Sequence, residues 1–336
     1  MVGVAELRAM RVAVAPLLAL GFLLLAGCPA PAPSTDTPAG TGPVPVTHTA
    51  TKPTIALVMK SLANEFFLTM QKGAEAHQKA HSDKYALLAN GTRDEQEISK
   101  QQQLVEQMTG QKVSAIVIAP IDSKAMVPIC KKAVDAGIPV INIDNRFDDG
   151  VLKENSLKIP FVGPDNRKGA KLAADFLAKK LKKGDSVGIL EGNPTAFNAQ
   201  QRKAGFEDGL KAAGITIAAS QSANWETDQA NKVASAILTA HPDIKALLCA
   251  NDSMALGAVA AVKAAGKQAQ VQIVGFDNID AVKQLVKDGT VLCTVDQHAD
   301  QLAAFGIDYA LEMLEKKSSP ADKETPVDLV TAETLK

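Results

Sequence analysis

A strand, a helix and a second strand follow one another within residues 246–278, ALLCANDSMALGAVAAVKAAGKQAQVQIVGFDN. Two short apolar runs flank an Ala-rich stretch with helical spacing, which Gly266 ends. Two strands joined through a helix within about 30 residues form a βαβ unit with parallel strands. Ligands of open parallel sheets bind beyond the carboxyl ends of the strands, where Asn251 and Asp277 stand. The pattern predicts an α/β fold with a small-molecule site at these residues.

The same alternation of strands and helices extends from residue 54 to residue 314. Residues 54–143 predict strands separated by helices, one of them at 95–109, and thus one doubly wound domain. Residues 161–314 predict a second half of the same kind, with a helix at 199–213. Two similar α/β halves in one chain favour a ligand cleft between them.

Composition and motifs exclude several classes of protein. The chain has 336 residues, with 36 basic and 37 acidic side chains, and no basic stripe indicates a nucleic-acid partner. No GxGxxG follows the first strand, and no GxxxxGK[ST] loop occurs. Cysteine and histidine spacings do not indicate a metal site. We therefore expect no cofactor and no metal.

The first residues have the features of a bacterial lipoprotein signal. Arg8 and Arg11 precede an apolar run at 12–25, which is too short for a membrane span, and Leu-Ala-Gly-Cys follows at 25–28. We expect cleavage after residue 27 and a lipid on Cys28, whether translation starts at Met1 or at Met10. An ordinary cleaved signal is the alternative. Residues 28–53 then predict a Pro/Thr-rich disordered tether, so the protein would lie in the periplasm or at the cell surface, attached to the membrane only by its lipid.

Planar polar groups and aromatic rings recur at the ends of the predicted strands and in the first turns of the helices that follow. They are Asn64, Phe66, Phe67, Asp144, Asn145, Arg146, Arg202, Trp225, Asn251, Asp277 and Gln297. Planar polar groups can engage two adjacent hydroxyls at once, and aromatic rings pack against the C–H face of a sugar. The mixture predicts a sugar site rather than a catalytic pair of nucleophile and base.

Each of these residues also has a purely structural interpretation. Asn64 could cap the helix that follows it, and Phe66 could belong to the core. Arg202 could be a solvated charge on a helix surface. Asn251 and Asp252 compete for one helix cap, and we assign the cap to Asp252, which leaves Asn251 for a ligand.

Residues 54–330 resemble the periplasmic sugar-binding proteins of ABC importers, in particular the ribose-binding group of type I. The motifs that carry the resemblance are TIALVMKSLANEFF, IPVINIDN, QQRKAGF, TAHPDIKALLCANDSMALGA, VGFDN and VDQHADQ. The resemblance implies two Rossmann-like lobes with doubly wound parallel sheets, joined by a three-crossing hinge near 163–165, 296–298 and 327–329. The N-terminal lobe would comprise 54–164 and 298–327, and the C-terminal lobe 165–296 and 328–336.

The same resemblance implies a monosaccharide enclosed between the lobes. The N-terminal lobe would contribute Asn64, Phe66, Phe67 and Asp144, and the C-terminal lobe Arg202, Trp225, Asn251 and Asp277, with Gln297 at a crossing. Phe66 and Trp225 would sandwich the sugar ring. Ribose binders have Arg where this chain has Asn145, and Phe where it has Trp225, which leaves a ribose-like pentose and a hexose both open.

Binding would stabilise the closed form, which an ABC permease or a chemoreceptor recognises, and the protein would act as a monomer. Three other functions compete with this hypothesis. A sugar-responsive repressor would need a helix-turn-helix before residue 54. The predicted signal peptide and tether occupy that part of the sequence, which disfavours a repressor. An enzyme would need a nucleophile or an acid–base pair. A binding protein for a cyclitol or an autoinducer-like signal would use similar residues and is the main alternative.

Overall fold

A computed structural model describes residues 52–335 of the chain. The predicted signal peptide, Cys28 and the tether up to residue 51 lie outside this range. Within residues 52–335, no helix is both long and apolar enough to span a bilayer.

Strands and helices alternate along the described residues. The strands are β1 (Thr54–Ser61), β2 (Ala86–Thr92), β3 (Ala115–Ile118), β4 (Val140–Ile143), β5 (Phe161–Pro164), β6 (Ser186–Glu191), β7 (Thr216–Ser222), β8 (Ala246–Cys249), β9 (Gln272–Val274), β10 (Cys293–Asp296), β11 (Lys323–Thr325) and β12 (Asp328–Thr331). The helices are α1 (Glu65–Ala80), α2 (Ile98–Gly110), α3 (Val127–Asp135), α4 (Asp149–Glu154), α5 (Asn166–Ala178), α6 (Phe197–Ala212), α7 (Thr227–Ala240), α8 (Asp252–Ala264), α9 (Asp280–Lys287) and α10 (Ala299–Lys316).

The strands form two sheets, each the centre of one lobe. The sheet of the N-terminal lobe has the order β2-β1-β3-β4-β5-β11, with every neighbouring pair parallel. The sheet of the C-terminal lobe has the order β7-β6-β8-β9-β10-β12, in which only β12 is antiparallel to its neighbour. The prediction of two α/β lobes built on parallel sheets is confirmed, with an antiparallel edge strand that the sequence pattern does not indicate.

Helices cover both faces of the sheets, which explains why the central strands are largely apolar. Every residue of β3, β4 and β8 is buried. In each lobe the first strand lies between the second and the third, so the strand order reverses beside β1 and beside β6. A crevice opens at the carboxyl ends of the strands at such a reversal.

The chain passes between the two sheets three times: after β5, after β10 and between β11 and β12. The helix after β5 packs on α6 of the C-terminal lobe, and the helix after β10 packs on α1 of the N-terminal lobe. These passages adjoin the segments predicted to be hinges, while the lobe boundaries and the hinge motion stay predictions.

The sequence pattern missed three short elements and misplaced several helix starts, two of which affect the cavity. The helix α4 and the strands β11 and β12 have three to six residues each, which is too short for a periodic signal. The helix predicted at 95–109 begins at Ile98, so Glu95 belongs to the preceding loop. The helix predicted at 199–213 begins at Phe197.

Candidate ligand-binding site

A narrow cavity with a buried lining lies between the two lobes at the carboxyl ends of their central strands. It is lined by Lys60, Asn64, Phe66, Phe67, Glu95, Asp144, Asn198, Arg202, Trp225, Asn251, Asp277 and Gln297. Larger grooves exist on the surface, for example beside Arg146 and Phe161, and exposed residues such as Asp149 line them. Among the described residues, the cavity between the lobes gathers nine of the eleven predicted site residues, and Asn145 and Arg146 do not line it.

The first turn of α1 supplies two aromatic rings to the cavity. The rings of Phe66 and Phe67 are both buried and meet edge to face, with centroids 5.1 Å apart. Asn64 precedes them, caps the helix as one of its two interpretations predicts, and lines the cavity. Its Oδ1 accepts a hydrogen bond from the Phe66 backbone N–H at 3.0 Å, which caps the helix, while its Nδ2 donates to Glu95 at 3.1 Å.

A buried ammonium group occupies the side of the cavity formed by the N-terminal lobe. Lys60, near the end of β1, is only 2% exposed, and its Nζ lies 2.9 Å from Asp144 Oδ2 and 3.5 Å from Glu95 Oε2. Burial alone would lower the pKa of Lys60, but the two carboxylates outweigh it and raise that pKa. Burial raises the pKa of Glu95 to about 6, although Lys60 opposes the shift. The ion pairs keep Lys60 charged inside the cavity.

Three lining residues, Lys60, Glu95 and Asn198, escaped the sequence analysis. The apolar run of the first strand ends at Met59, and a Lys directly after an apolar strand is the sequence signal that indicates Lys60. Glu95 and Asn198 were hidden by the misplaced helix starts, because Glu95 was assigned to a helix and Asn198 to the loop before one.

The C-terminal lobe holds a buried guanidinium group in a fixed position. Arg202 of α6 is 2% exposed, so its interpretation as a solvated surface charge is wrong. It donates to Asn166 Oδ1 at 2.8 Å, to the Ala250 carbonyl at 2.9 Å and to Asp277 Oδ1 at 3.2 Å. Its guanidinium carbon lies 3.8 Å from the centroid of the Phe276 ring, a cation–π distance.

The Asp277 carboxylate uses one oxygen for all of its hydrogen bonds with the described residues. Arg202 and Gln297 both donate to Oδ1, the latter at 2.7 Å, so Oδ2 has no protein donor among residues 52–335. Burial raises the pKa of Asp277 to about 7, against the lowering effect of Arg202. The backbone of Asp277 has φ 121°, which is a strained conformation for a residue other than glycine.

The ring of Trp225 lies directly against the backbone of Gly192. A Cβ atom at Gly192 would come 2.2 Å from the Trp225 ring, so only glycine leaves room for the ring in this position. Trp225 itself has φ 70°, and Asp144 has φ 61°, so three residues of the cavity adopt positive φ angles. The backbone conformation, as well as the side-chain rotamer, therefore sets the direction in which these three side chains point.

Three buried oxygen atoms of the cavity residues accept no hydrogen bond within residues 52–335. They are Asn198 Oδ1, Gln297 Oε1 and Asp144 Oδ2, the last of which is ion-paired with Lys60. Buried acceptors of this kind cost free energy unless a donor reaches them, so the cavity is suited to a ligand that carries several hydroxyl donors. The lining contains no Ser, Cys or His to act as a nucleophile, and the described residues contain no group of three potential metal-ligating side chains.

Two assignments from the sequence need correction. Asn145 does not line the cavity: its Nδ2 donates to the Pro120 carbonyl at 2.8 Å, and its Oδ1 accepts from the Asn198 N–H at 3.1 Å. The cap of α8 is Asn251, which accepts from the Met254 N–H at 2.9 Å, and not Asp252. Asp252 is fully buried and accepts from the Ile279 N–H and the Thr294 hydroxyl instead. Asn251 still lines the cavity.

The raised pKa of Asp277 predicts that its contribution to stability is lost as the pH rises. The folded protein keeps the proton up to about pH 7, whereas the unfolded chain releases it near the ordinary value of 3.8. The free energy of unfolding of the wild type, minus that of Asp277→Asn, should therefore fall between pH 4 and about pH 7. Urea unfolding of both proteins across this range measures the difference, and a constant difference would contradict the assignment.

Gly192→Ala should displace the Trp225 ring, because the added methyl group overlaps it. Trp225 is the single Trp of the chain, so the intrinsic fluorescence spectrum reports its position. We expect a shifted emission maximum in Gly192→Ala. Gly110→Ala is the control, since a methyl group there meets no atom within 4 Å. Identical spectra of Gly192→Ala and the wild type would refute the steric argument.

Comparison with known proteins identifies relatives along most of the chain. A family model described as a periplasmic binding protein domain matches residues 55–318. A D-ribose/D-allose-binding protein of Pseudomonas aeruginosa is 59% identical over 288 residues, which cover 84% of this chain and 90% of that protein.

Two solved structures of ABC transporter solute-binding proteins share the fold. One, from Burkholderia multivorans with an unknown ligand represented as alpha-D-erythrofuranose, is 58% identical, with a TM-score of 0.83 over 84% of this chain and 100% of that chain. The other, from Actinobacillus succinogenes with bound D-allose, is 40% identical, with a TM-score of 0.80 over 84% and 99% of the two chains. The resemblance inferred from the sequence motifs is confirmed, and this chain belongs to the periplasmic binding protein family.

Proposed function

We propose that this protein binds a monosaccharide in the cavity between its lobes and delivers it to an ABC importer. The observation that carries the proposal is the combination, within one buried cavity, of aromatic rings, charged groups and acceptor atoms without protein donors. A sugar has an apolar C–H face for the rings and a hydroxyl on nearly every carbon for the polar groups.

The candidate sugars are aldoses of the ribose and allose type. The relatives with 59% and 40% identity bind, by their names, D-ribose or D-allose and D-allose. Lys60 and Glu95 give the cavity two more polar groups besides Asp144 and the Asp277–Arg202 pair. This surplus of polar groups suits the additional hydroxymethyl group of a hexose.

The protein would work outside the cytoplasmic membrane, where importers of this family receive their ligands. The signal and the cysteine at position 28 support a lipid-anchored protein in the periplasm or at the cell surface. In this proposal, a chemoreceptor binds the same closed form of the protein that the permease binds. We propose a monomer that binds its ligand without catalysing a reaction.

Asp277→Ala should weaken sugar binding by roughly 30-fold or more, because it removes a buried charged acceptor and leaves Arg202 without its carboxylate. Titration of the Trp225 fluorescence with D-allose and D-ribose measures the affinity, and a thermal melt checks that the variant folds. Asp83→Ala, at an exposed position, is the control.

The same titration separates the competing functions. Myo-inositol serves as the probe for a cyclitol site, and a response to it alone would favour the alternative over a sugar. A ligand at 100 times its Kd should add about 2.7 kcal/mol of stability. If neither D-allose nor D-ribose changes the fluorescence or the melting temperature of the wild type, the proposed function is wrong.

Cys28→Ala should abolish membrane anchoring by removing the thiol that carries the lipid. The wild type should incorporate a labelled fatty acid and partition into the detergent phase, whereas Cys28→Ala should do neither. Cys130→Ala is the matched control, because this buried thiol is unsuited to lipid attachment. If the wild type incorporates no labelled fatty acid, the N-terminal segment is better interpreted as an ordinary cleaved signal peptide.

A further inference from the structure

Two helices of the C-terminal lobe begin at the cleft without a capping side chain of their own. The N-cap residue of α6 is Ala196 and that of α9 is Ile279, and neither side chain can accept a hydrogen bond. The first backbone N–H groups of a helix lack partners within the helix and are normally satisfied by a nearby side chain or by water.

The N-terminal lobe supplies the missing cap of α6. Ser123 Oγ accepts a hydrogen bond from the Phe197 N–H at 2.9 Å, and Asn145 Oδ1 accepts one from the Asn198 N–H at 3.1 Å. Ser123 also donates its hydroxyl to Asn145 Oδ1 at 3.3 Å, so the two side chains act as one unit. Asn145 is thereby engaged across the cleft rather than toward the cavity.

The N-terminal lobe caps α9 in the same way. The two carboxylate oxygens of Glu65 accept from the N–H groups of Asp280 at 2.9 Å and Ala281 at 3.4 Å. A carboxylate at a helix N-terminus is also favoured by the helix dipole. Ser123, Asn145 and Glu65 all lie outside the residues that line the cavity.

We propose that these cross-lobe caps stabilise the closed form of the protein, so that a closed population exists without ligand and the ligand affinity depends on residues that never touch the ligand. Opening the lobes separates each cap from its helix, and closing them restores four hydrogen bonds. The apparent dissociation constant is the intrinsic dissociation constant divided by the fraction of molecules in the binding-competent form, so each cap strengthens binding by raising that fraction. The link to affinity rests on the proposed function, whereas the closed population without ligand does not.

The closed population can be measured directly with a pair of spin labels. Lys100→Cys on α2 and Lys232→Cys on α7 place the labels at exposed positions of opposite lobes, and the three cysteines of the described residues are buried. Without sugar, the full-length protein in membranes should show two distances between the labels, a short one from the closed form and a long one from the open form. Glu65→Ala and Ser123→Ala should each lower the ratio of short to long by about five-fold, the equivalent of one helix cap of ~1 kcal/mol.

Three comparisons distinguish capping from structural damage. Glu65→Gln keeps an acceptor oxygen in place and should restore part of the ratio that Glu65→Ala loses. Glu75→Ala removes an exposed carboxylate from the same helix, where it contacts only Gln71, and should leave the ratio unchanged. Binding of D-allose should weaken by the factor by which the closed fraction falls, calculated from the two distance populations, while the melting temperature of each variant shows that it folds.

The proposal would be overturned if the wild type without sugar showed only the long label-to-label distance. It would also be overturned if the cap variants had the same ratio of short to long distance as the wild type. If the cap variants shift the ratio but neither D-allose nor D-ribose binds the wild type, the proposed function fails while the capping proposal stands. If the sugar binds and the cap variants leave both the ratio and the affinity unchanged, the proposed function stands and the capping proposal fails.

Discussion

The parallel order of the strands determines where everything else in this protein lies. When strands run in one direction, their carboxyl ends and the N-termini of the following helices meet at one edge of the sheet. Each lobe presents such an edge to the other, and the cavity forms where residues at the ends of β1 and β4 face residues at the ends of β8 and β9 across the cleft. Side chains that are far apart in sequence, such as Lys60 and Gln297, therefore line the same space.

Charge is balanced within each lobe rather than between the lobes. Lys60 pairs with Asp144 and Glu95 on one side of the cavity, and Arg202 pairs with Asp277 on the other. An unpaired buried charge would be costly, so each half of the site must carry its own counter-charge if the lobes are to separate and meet again. The lobes instead interact through neutral backbone N–H groups and through acceptors at the rim of the cleft.

The sequence predicts the lobes and much of the cavity, because both depend on local patterns. Apolar runs of four residues predict β3 and β8, and polar residues directly after strands predict Asp144, Asn251 and Asp277. The errors come from contacts that no local pattern records. Asn145 follows a strand as Asp144 does, yet its side chain reaches across to α6, and Glu95 enters the cavity because its helix begins three residues later.

The positive φ angles of Asp144, Trp225 and Asp277 bear on how the ligand range of such a protein can change. At these positions a substitution must suit an uncommon backbone conformation as well as a new ligand, so few exchanges keep the fold intact. Asn198 and Gln297 contact the same cavity from ordinary backbone conformations. Evolution and protein engineering thus have more freedom at these two residues, and new sugar preferences should arise there first.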